Sequence, residues 1–269
     1  RCRWAARLKW MLSLPFAAID NWLSPPPNPA KVGWLGQCGY AHRGLHGAGL
    51  PENSPAAFAA AIARGMGIEC DIQLSSDGLA MVFHDATLDR LTAEQGRLAD
   101  RSAAELGRIK LTAGDDTIPT LRQLLDQVAG KVPLLIEIKS PKGKPERIPA
   151  LCMSVRRVLE GYQDPHAIMS FDPRIVRWFA AHSPLTVRGL VVTEENDKAL
   201  PGMVRRYLSL WHARPDFLAY DVRDLPSRFA AAQRRRGLPV TTWTVRSPEC
   251  RERAAAHADA PIAEGAGVA

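Results

Sequence analysis

The sequence predicts an α/β protein, a (β/α)8 TIM barrel with a short insertion after the third strand, and three observations carry that expectation. Short apolar runs alternate with amphipathic segments along most of the 269 residues. Such alternation implies parallel strands joined by crossover helices. Eight runs read as strands, at 39–43, 67–73, 80–84, 133–139, 166–171, 187–192, 217–222 and 239–245, and eight parallel strands closing on themselves leave no exposed edge. No Gly-x-Gly-x-x-Gly turn follows the first of them, so an open, doubly wound sheet lacks its usual signature.

Taken in order, the chain opens on a basic stretch (Arg1, Arg3, Arg7, Lys9) and an apolar run at 11–19. The pair loosely imitates a signal peptide. An amphipathic segment resting on the barrel or on a membrane surface fits as well. No stretch reaches the roughly 20 apolar residues of a membrane span. Pro25, Pro26, Pro27 and Pro29 then form a stiff, extended passage. We therefore expect an N-terminal segment and linker over 1–38 and a barrel domain over 39–269. Helices are expected at 55–64, 121–128, 148–160, 173–182 and 226–236. The first has Asn53 or Ser54 as its cap and Pro55 in its first turn. The passage at 85–119 is longer than a usual βα connection and holds a helical stretch at 102–109. At the C-terminal ends of barrel strands it would shape a pocket mouth or a lid.

Composition narrows the function classes. At 46% hydrophobic and 23% charged residues, the chain can bury a large core and is not a disordered tail. The net charge of +7 comes partly from the N-terminal basic residues and the Arg234–Arg236 run. No nucleic-acid motif accompanies it, so a solvated basic face is expected and no nucleic-acid partner. The five cysteines are odd in number and widely spaced, with no Cys-x-x-Cys pair. That argues against a disulfide framework or zinc knuckle and for a reducing, cytoplasmic setting, with peripheral membrane contact left open.

Four clusters carry chemistry. His42 and Arg43 end the first strand, where a histidine beside a cation suits acid/base work next to an anion; alone, such a pair is usually structural. Glu69 and Asp71 are two apart on a strand and share a face. Two like charges this close are unfavourable without a cation. His84, followed by Asp85, ends an apolar strand and is a second acid/base candidate. Glu137 and Lys139 share a face of the apolar run at 134–138, costly for each unless paired or engaged. Three carboxylates without Cys or His form the oxygen-rich set that Mg2+ or Ca2+ prefers. Arg43 and Lys139 beside them would suit a phosphoryl group.

These residues occur in a familiar order. His42-Arg43-Gly44, Pro51-Glu52-Asn53-Ser54, Glu69-Cys70-Asp71, Asp77-Gly78, Phe83-His84-Asp85, Leu88-Asp89-Arg90-Leu91-Thr92, Ile118-Pro119-Thr120-Leu121, Ile136-Glu137-Ile138-Lys139, Ser170-Phe171-Asp172-Pro173 and Thr242-Trp243-Thr244-Val245 resemble the glycerophosphodiester phosphodiesterases over about residues 39–250. The resemblance implies metal-dependent hydrolysis of small glycerophosphodiesters to glycerol 3-phosphate and an alcohol. It implies Glu69, Asp71 and Glu137 as ligands of one divalent cation, Mg2+ or Ca2+, and His42 and His84 as general acid and base. Arg43 and Lys139 would hold the phosphate, Trp243 would line the glycerol or alcohol pocket, and Glu52 would orient groups near the metal. Trp243 reads equally well as barrel core. Two segments depart from the family pattern. Arg246 stands where an Asn is usual, and 257–265 lacks the usual Gly-Val-Asp-Gly and Thr-Asp-x-Pro segments. Two other functions remain compatible with the residues: a phosphodiesterase of lysophospholipid or phosphoinositide head groups, and a non-catalytic barrel that binds phosphate esters.

Overall fold

The computed structural model describes residues 13–195 and 197–268. Arg1, Arg3, Arg7, Lys9 and the start of the apolar run at 11–19 lie outside the described residues. In chain order the elements are α1 (Ser13–Leu23), α2 (Pro29–Val32), β1 (Tyr40–Ala41), α3 (Pro55–Ala63), β2 (Gly67–Leu74), β3 (Ala80–Val82), α4 (Ala103–Leu106), α5 (Leu121–Val128), β4 (Leu134–Ile138) and α6 (Ile148–Leu159). They continue with β5 (His166–Ser170), α7 (Pro173–His182), β6 (Val187–Val192), α8 (Leu200–Ala213), β7 (Phe217–Asp221), α9 (Arg228–Arg235), β8 (Val240–Val245), α10 (Pro248–His257) and β9 (Ala260–Ala263).

The sheet runs β1-β9-β8-β7-β6-β5-β4-β2 and closes through a β1–β2 pairing, every one of these pairs being parallel. The fold is a (β/α)8 barrel, as expected. One strand assignment changes. The run at 80–84 is not a barrel stave: β3 pairs antiparallel with β2, Ile72 opposite Val82, outside the closed sheet. The physical reason is the short link through Asp77-Gly78, with Gly78 at φ +87°. So few residues turn a hairpin but cannot make a parallel crossover, which needs about a dozen or more. The eighth stave is instead β9, in the segment that departs from the family pattern. The long insertion follows β3 in the chain and packs its own apolar cluster, with Met81, Phe83, Leu88, Leu98 and Leu106 buried.

Helix starts follow local chemistry. Ser54 accepts from Ala57 N at 3.1 Å with Pro55 behind it. Thr120 and Gln123 form a reciprocal capping box, and each such cap contributes about 1 kcal/mol. The helix expected at 226–236 begins only after Ser227, whose hydroxyl caps Ala230 N. Three helices, α2, α8 and α10, were not anticipated, and α2 opens on Pro29, the last proline of the passage expected to be extended. α8 has no capping side chain at Ala199 and carries Pro201 and Gly202 in its first turns, residues that read as a loop.

Strand alternation sorts the core into two layers. Ile68, Cys70 and Ile72 of β2 and Leu134, Ile136 and Ile138 of β4 face outward onto Phe58, Leu121, Leu125 and Val155 of the helices. Inside, Tyr40, Leu135, Ala167, Val187, Phe217 and Ala260, at or near the strands' first residues, pack with Val32 and Leu35. The chain from Pro29 to Gly36 therefore seals the N-terminal end of the barrel. Asp20 ties α1 to the outer helices by accepting from Trp211 Nε1 at 2.7 Å and Gln233 Nε2 at 2.9 Å. Among the described residues no helix is long and apolar enough to cross a membrane.

Candidate active site

With one end sealed, polar groups collect at the other, where the strands end. Glu69 and Asp71 alternate with the outward residues of β2 and so face the interior. β2 and β4 are in register with Asp71 beside Glu137. All three carboxylates are buried, and one oxygen from each lies within 4.8 Å of the others. Two cations bound the group. Lys139 Nζ is 2.8 Å from Asp71 and 2.6 Å from Glu137, and Arg43 Nε is 3.2 Å from Asp71. Asn53 Nδ2 donates to Asp71 at 2.9 Å. Glu69 Oε2 accepts from Arg43 N at 3.0 Å, but Glu69 Oε1 is buried without a hydrogen-bond partner. Burial, with Asp71 and Glu137 nearby, pushes the Glu69 carboxyl well above the usual carboxylate range. Burial also raises Glu137. Burial would raise Asp71 too, but Lys139 and Arg43 outweigh it and hold that carboxyl below its ordinary value. An orphaned carboxylate oxygen among three hard oxygen donors fits a divalent cation.

The backbone that delivers these groups is tightly turned. Arg43 and Asn53 both adopt positive φ, 55° and 57°, a costly conformation for residues with side chains and one concentrated at functional sites. Gly44 follows at φ +78°, where a Cβ would sit 2.9 Å from Ala57. This turn ends β1 after two residues instead of five and swings His42 toward the carboxylates.

His42 is buried, with Nε2 4.0 Å from Glu69 and Nδ1 against Glu264. Glu264 also meets His46 Nε2 at 3.3 Å and Arg246 Nε at 2.5 Å. His84 pairs Nδ1 with Asp85 at 2.6 Å. Burial lowers both histidines below the ordinary imidazole range, against the carboxylates beside them. A carboxylate on Nδ1 fixes ring and tautomer and leaves Nε2 for proton transfer. Arg90 bridges Asp85 at 2.5 Å to Glu52 at 2.8 Å, and Glu52 reaches Arg43 at 2.7 Å. This ion-pair chain links the turn carrying Arg43 to the loop carrying His84.

Trp243 lies on β8, four strands around the barrel from β4. It is half-buried, donates Nε1 to Ala219 O at 2.9 Å and meets Phe171 edge-on at 5.4 Å between centroids. It is thus part core, part wall of the mouth. Every sequence-predicted site residue stands at this end of the barrel. Sequence reading missed Asp85, Glu264, Arg90 and Asn53 as partners. Asp85, Arg90 and Asn53 sat within quoted motifs, whereas the Ala-Pro-Ile-Ala strand before Glu264 carried no legible signal.

A profile of the glycerophosphoryl diester phosphodiesterase family matches residues 42–268. The chain belongs to that family. A glycerophosphodiester phosphodiesterase of Bacillus altitudinis is 35% identical over 131 residues, 46% of this chain and 53% of that one, so the match spans about half of that relative. A Bacillus subtilis (strain 168) protein provisionally named for the same activity is 30% identical over 216 residues, 76% of this chain and 84% of its own. Solved structures share the fold. An Oleispira antarctica phosphodiesterase, in complex with the product sn-glycerol-3-phosphate, superposes with a TM-score of 0.73 at 23% identity, covering 83% of this chain and 91% of that one. A Thermotoga maritima glycerophosphodiester phosphodiesterase gives 0.66 at 25% identity over 83% and 92%. Within this family member, Arg246 and Glu264, both in departing segments, form one ion pair beside His42.

Proposed function

We propose that the chain hydrolyses glycerophosphodiesters to glycerol 3-phosphate and an alcohol with the help of one divalent cation, Mg2+ or Ca2+. The observation that carries this is the juxtaposition of three buried carboxylates, one with an unpartnered oxygen, with two carboxylate-backed histidines and two cations at one end of the barrel. Glu69, Asp71 and Glu137 would hold the cation, which would supply charge neutralisation at the non-bridging phosphoryl oxygens. Arg43 and Lys139 bind and orient the phosphate, and their positive charge opposes the charge that develops in the transition state. One histidine accepts the proton of the nucleophile, which is water or the glycerol hydroxyl next to the ester, the latter giving a cyclic phosphate first. The other histidine enters the step as imidazolium, its Nδ1–H held by the carboxylate beside it, and gives its Nε2 proton to the leaving alcohol oxygen. Low-lying imidazole pKa values keep the accepting ring neutral near pH 7. Trp243 and Phe171 offer an aromatic wall to the glycerol carbons. The product complex of the Oleispira antarctica relative supports glycerol 3-phosphate as the retained fragment. Four free cysteines among the described residues agree with a reducing, cytoplasmic setting, and exposed Ile19 and Trp22 on α1 support peripheral membrane contact.

The test is product analysis with several glycerophosphodiesters, with and without chelator. Expected is glycerol 3-phosphate released only with metal. In His42→Ala and His84→Ala turnover should fall about 10²–10⁴-fold while the metal-induced rise in Tm persists. Full turnover in chelator, or in either variant, refutes the reading.

A further inference from the structure

Beside His84 and Lys139 a second space opens, a cavity of about 460 Å³ between the end of β2, the insertion and the loop after β4. Its charge is one-sided. Arg97, Lys139, Lys142, Lys144 and Arg147 line it, against the single carboxylate of Asp85. Asp85 is already engaged by Arg90 and His84, and Lys139 by Asp71 and Glu137. Arg147 donates one hydrogen bond, to Ser75 O at 3.0 Å. No carboxylate among the described residues pairs with Arg97, Lys142 or Lys144, the last two on the exposed loop after β4. The barrel mouth on the Trp243 side is aromatic; this side is cationic. A pocket of this size holds a small polyol phosphate, and clustered Lys and Arg raise the local concentration of phosphate-bearing groups. A trimethylammonium head group would meet mostly like charge here, five cations against one carboxylate already engaged.

We propose that this cavity receives the leaving alcohol and selects alcohols that carry a phosphate of their own. The inference rests on the hydrolytic reading above and assigns the two halves of the substrate. Glycerol faces Trp243 and Phe171, the scissile phosphate sits at Arg43 and Lys139, and the leaving alcohol extends past His84 toward Lys142, Lys144 and Arg147. His84, on the cavity wall, is then the histidine that protonates the leaving oxygen, and His42 serves the nucleophile.

Full-length protein with saturating Mg2+ or Ca2+ is assayed on three soluble diesters. These are bis(glycerophospho)glycerol, glycerophosphoglycerol and glycerophosphocholine. Cleavage of the first releases a glycerol that carries a glycerophosphoryl group, and cleavage of the second releases glycerol alone. At low ionic strength kcat/KM for bis(glycerophospho)glycerol, halved for its two equivalent diesters, should exceed that for glycerophosphoglycerol at least tenfold. Glycerophosphocholine should be the poorest, and added salt should compress the ratio. Lys142→Glu with Lys144→Glu, both exposed, should bring the ratio to about one or below, by lowering kcat/KM for bis(glycerophospho)glycerol more than that for glycerophosphoglycerol. A wild-type ratio near one, preference for the choline ester, or a ratio unmoved by the double variant overturns the assignment. Calorimetry separates this from the reading beneath it. If no diester is turned over, the hydrolytic reading falls. Tighter binding of bis(glycerophospho)glycerol, lost in the double variant, still upholds the cavity assignment, and equal binding of both glycerol diesters overturns it.

Discussion

Glu69→Gln should move stability and metal binding in opposite directions. With chelator present, Glu69 is a buried carboxylate beside two others, and two unit charges 4.8 Å apart repel by about 3.5 kcal/mol at an effective dielectric of about 20. Lys139 and Arg43 offset part of this, and the raised Glu69 pKa means that protonation relieves more. Glutamine keeps an acceptor for Arg43 N and gives Asp71 or Glu137 an amide donor. The expected net effect is a chelated variant as stable as wild type or more stable by about 1–2 kcal/mol. The pH dependence has a definite sign. In folded, metal-free protein Glu69 holds a proton that the unfolded chain has released above its ordinary 4.5. Wild-type stability therefore falls as pH rises from there through the raised folded value. The variant lacks this loss, so its advantage should widen with pH. Metal binding must displace the same proton, so wild-type metal affinity should also rise with pH. Urea unfolding from pH 5 to 8, in chelator and in millimolar Mg2+ or Ca2+, measures both. A variant less stable than wild type by more than about 1 kcal/mol in chelator, or one that keeps the metal-induced stabilisation, refutes the electrostatic account of the site.

Other expectations follow from the same contacts. Glu264→Gln removes the carboxylate that raises His42's proton affinity against burial; kcat should drop about 10- to 100-fold with little change in KM, and the pH–rate limb set by His42 should move to lower pH. Asp85 is held down to about 2, chiefly by Arg90, from an ordinary 3.8, so its contribution is present above 3.8 and lost as pH falls toward 2. Discounted for its partly exposed partner, that is about 1 kcal/mol, and Asp85→Asn should flatten this acid limb in urea titrations. Leu35→Ala opens a hole in the sealed end of the barrel, where Leu35 is fully buried. It should cost about 2–5 kcal/mol in chemical denaturation and leave KM unchanged.

The reach of the sequence can be judged residue by residue. Glu69 and Asp71 were legible as neighbours because a strand alternates its faces whatever surrounds it. So were Glu137 and Lys139. Their convergence across β2 and β4 depended on register, which no local pattern states. His84 was found for a reason the fold revises: it ends a hairpin strand laid outside the barrel, and the Asp77-Gly78 turn was the available clue. Glu264 and the stave before it stayed hidden because four residues, Ala-Pro-Ile-Ala, carry too little apolar alternation to announce a strand. α8 stayed hidden behind Pro201 and Gly202.

By itself the sequence determined the alternation of strands and helices, the inward and outward faces of each strand, and which side chains could do chemistry. These are consequences of local geometry and short-range patterning. Only the tertiary structure decided which stave closes the barrel, that Val32 and Leu35 seal its far end, and that Glu264 and Arg246 back His42. It also decided that four cations of the insertion and the loop after β4, Arg97, Lys142, Lys144 and Arg147, share a cavity with His84. Those facts join residues far apart in the chain, and their pairing is fixed by global closure of the sheet, where each contact is worth forming only once all the others are in place.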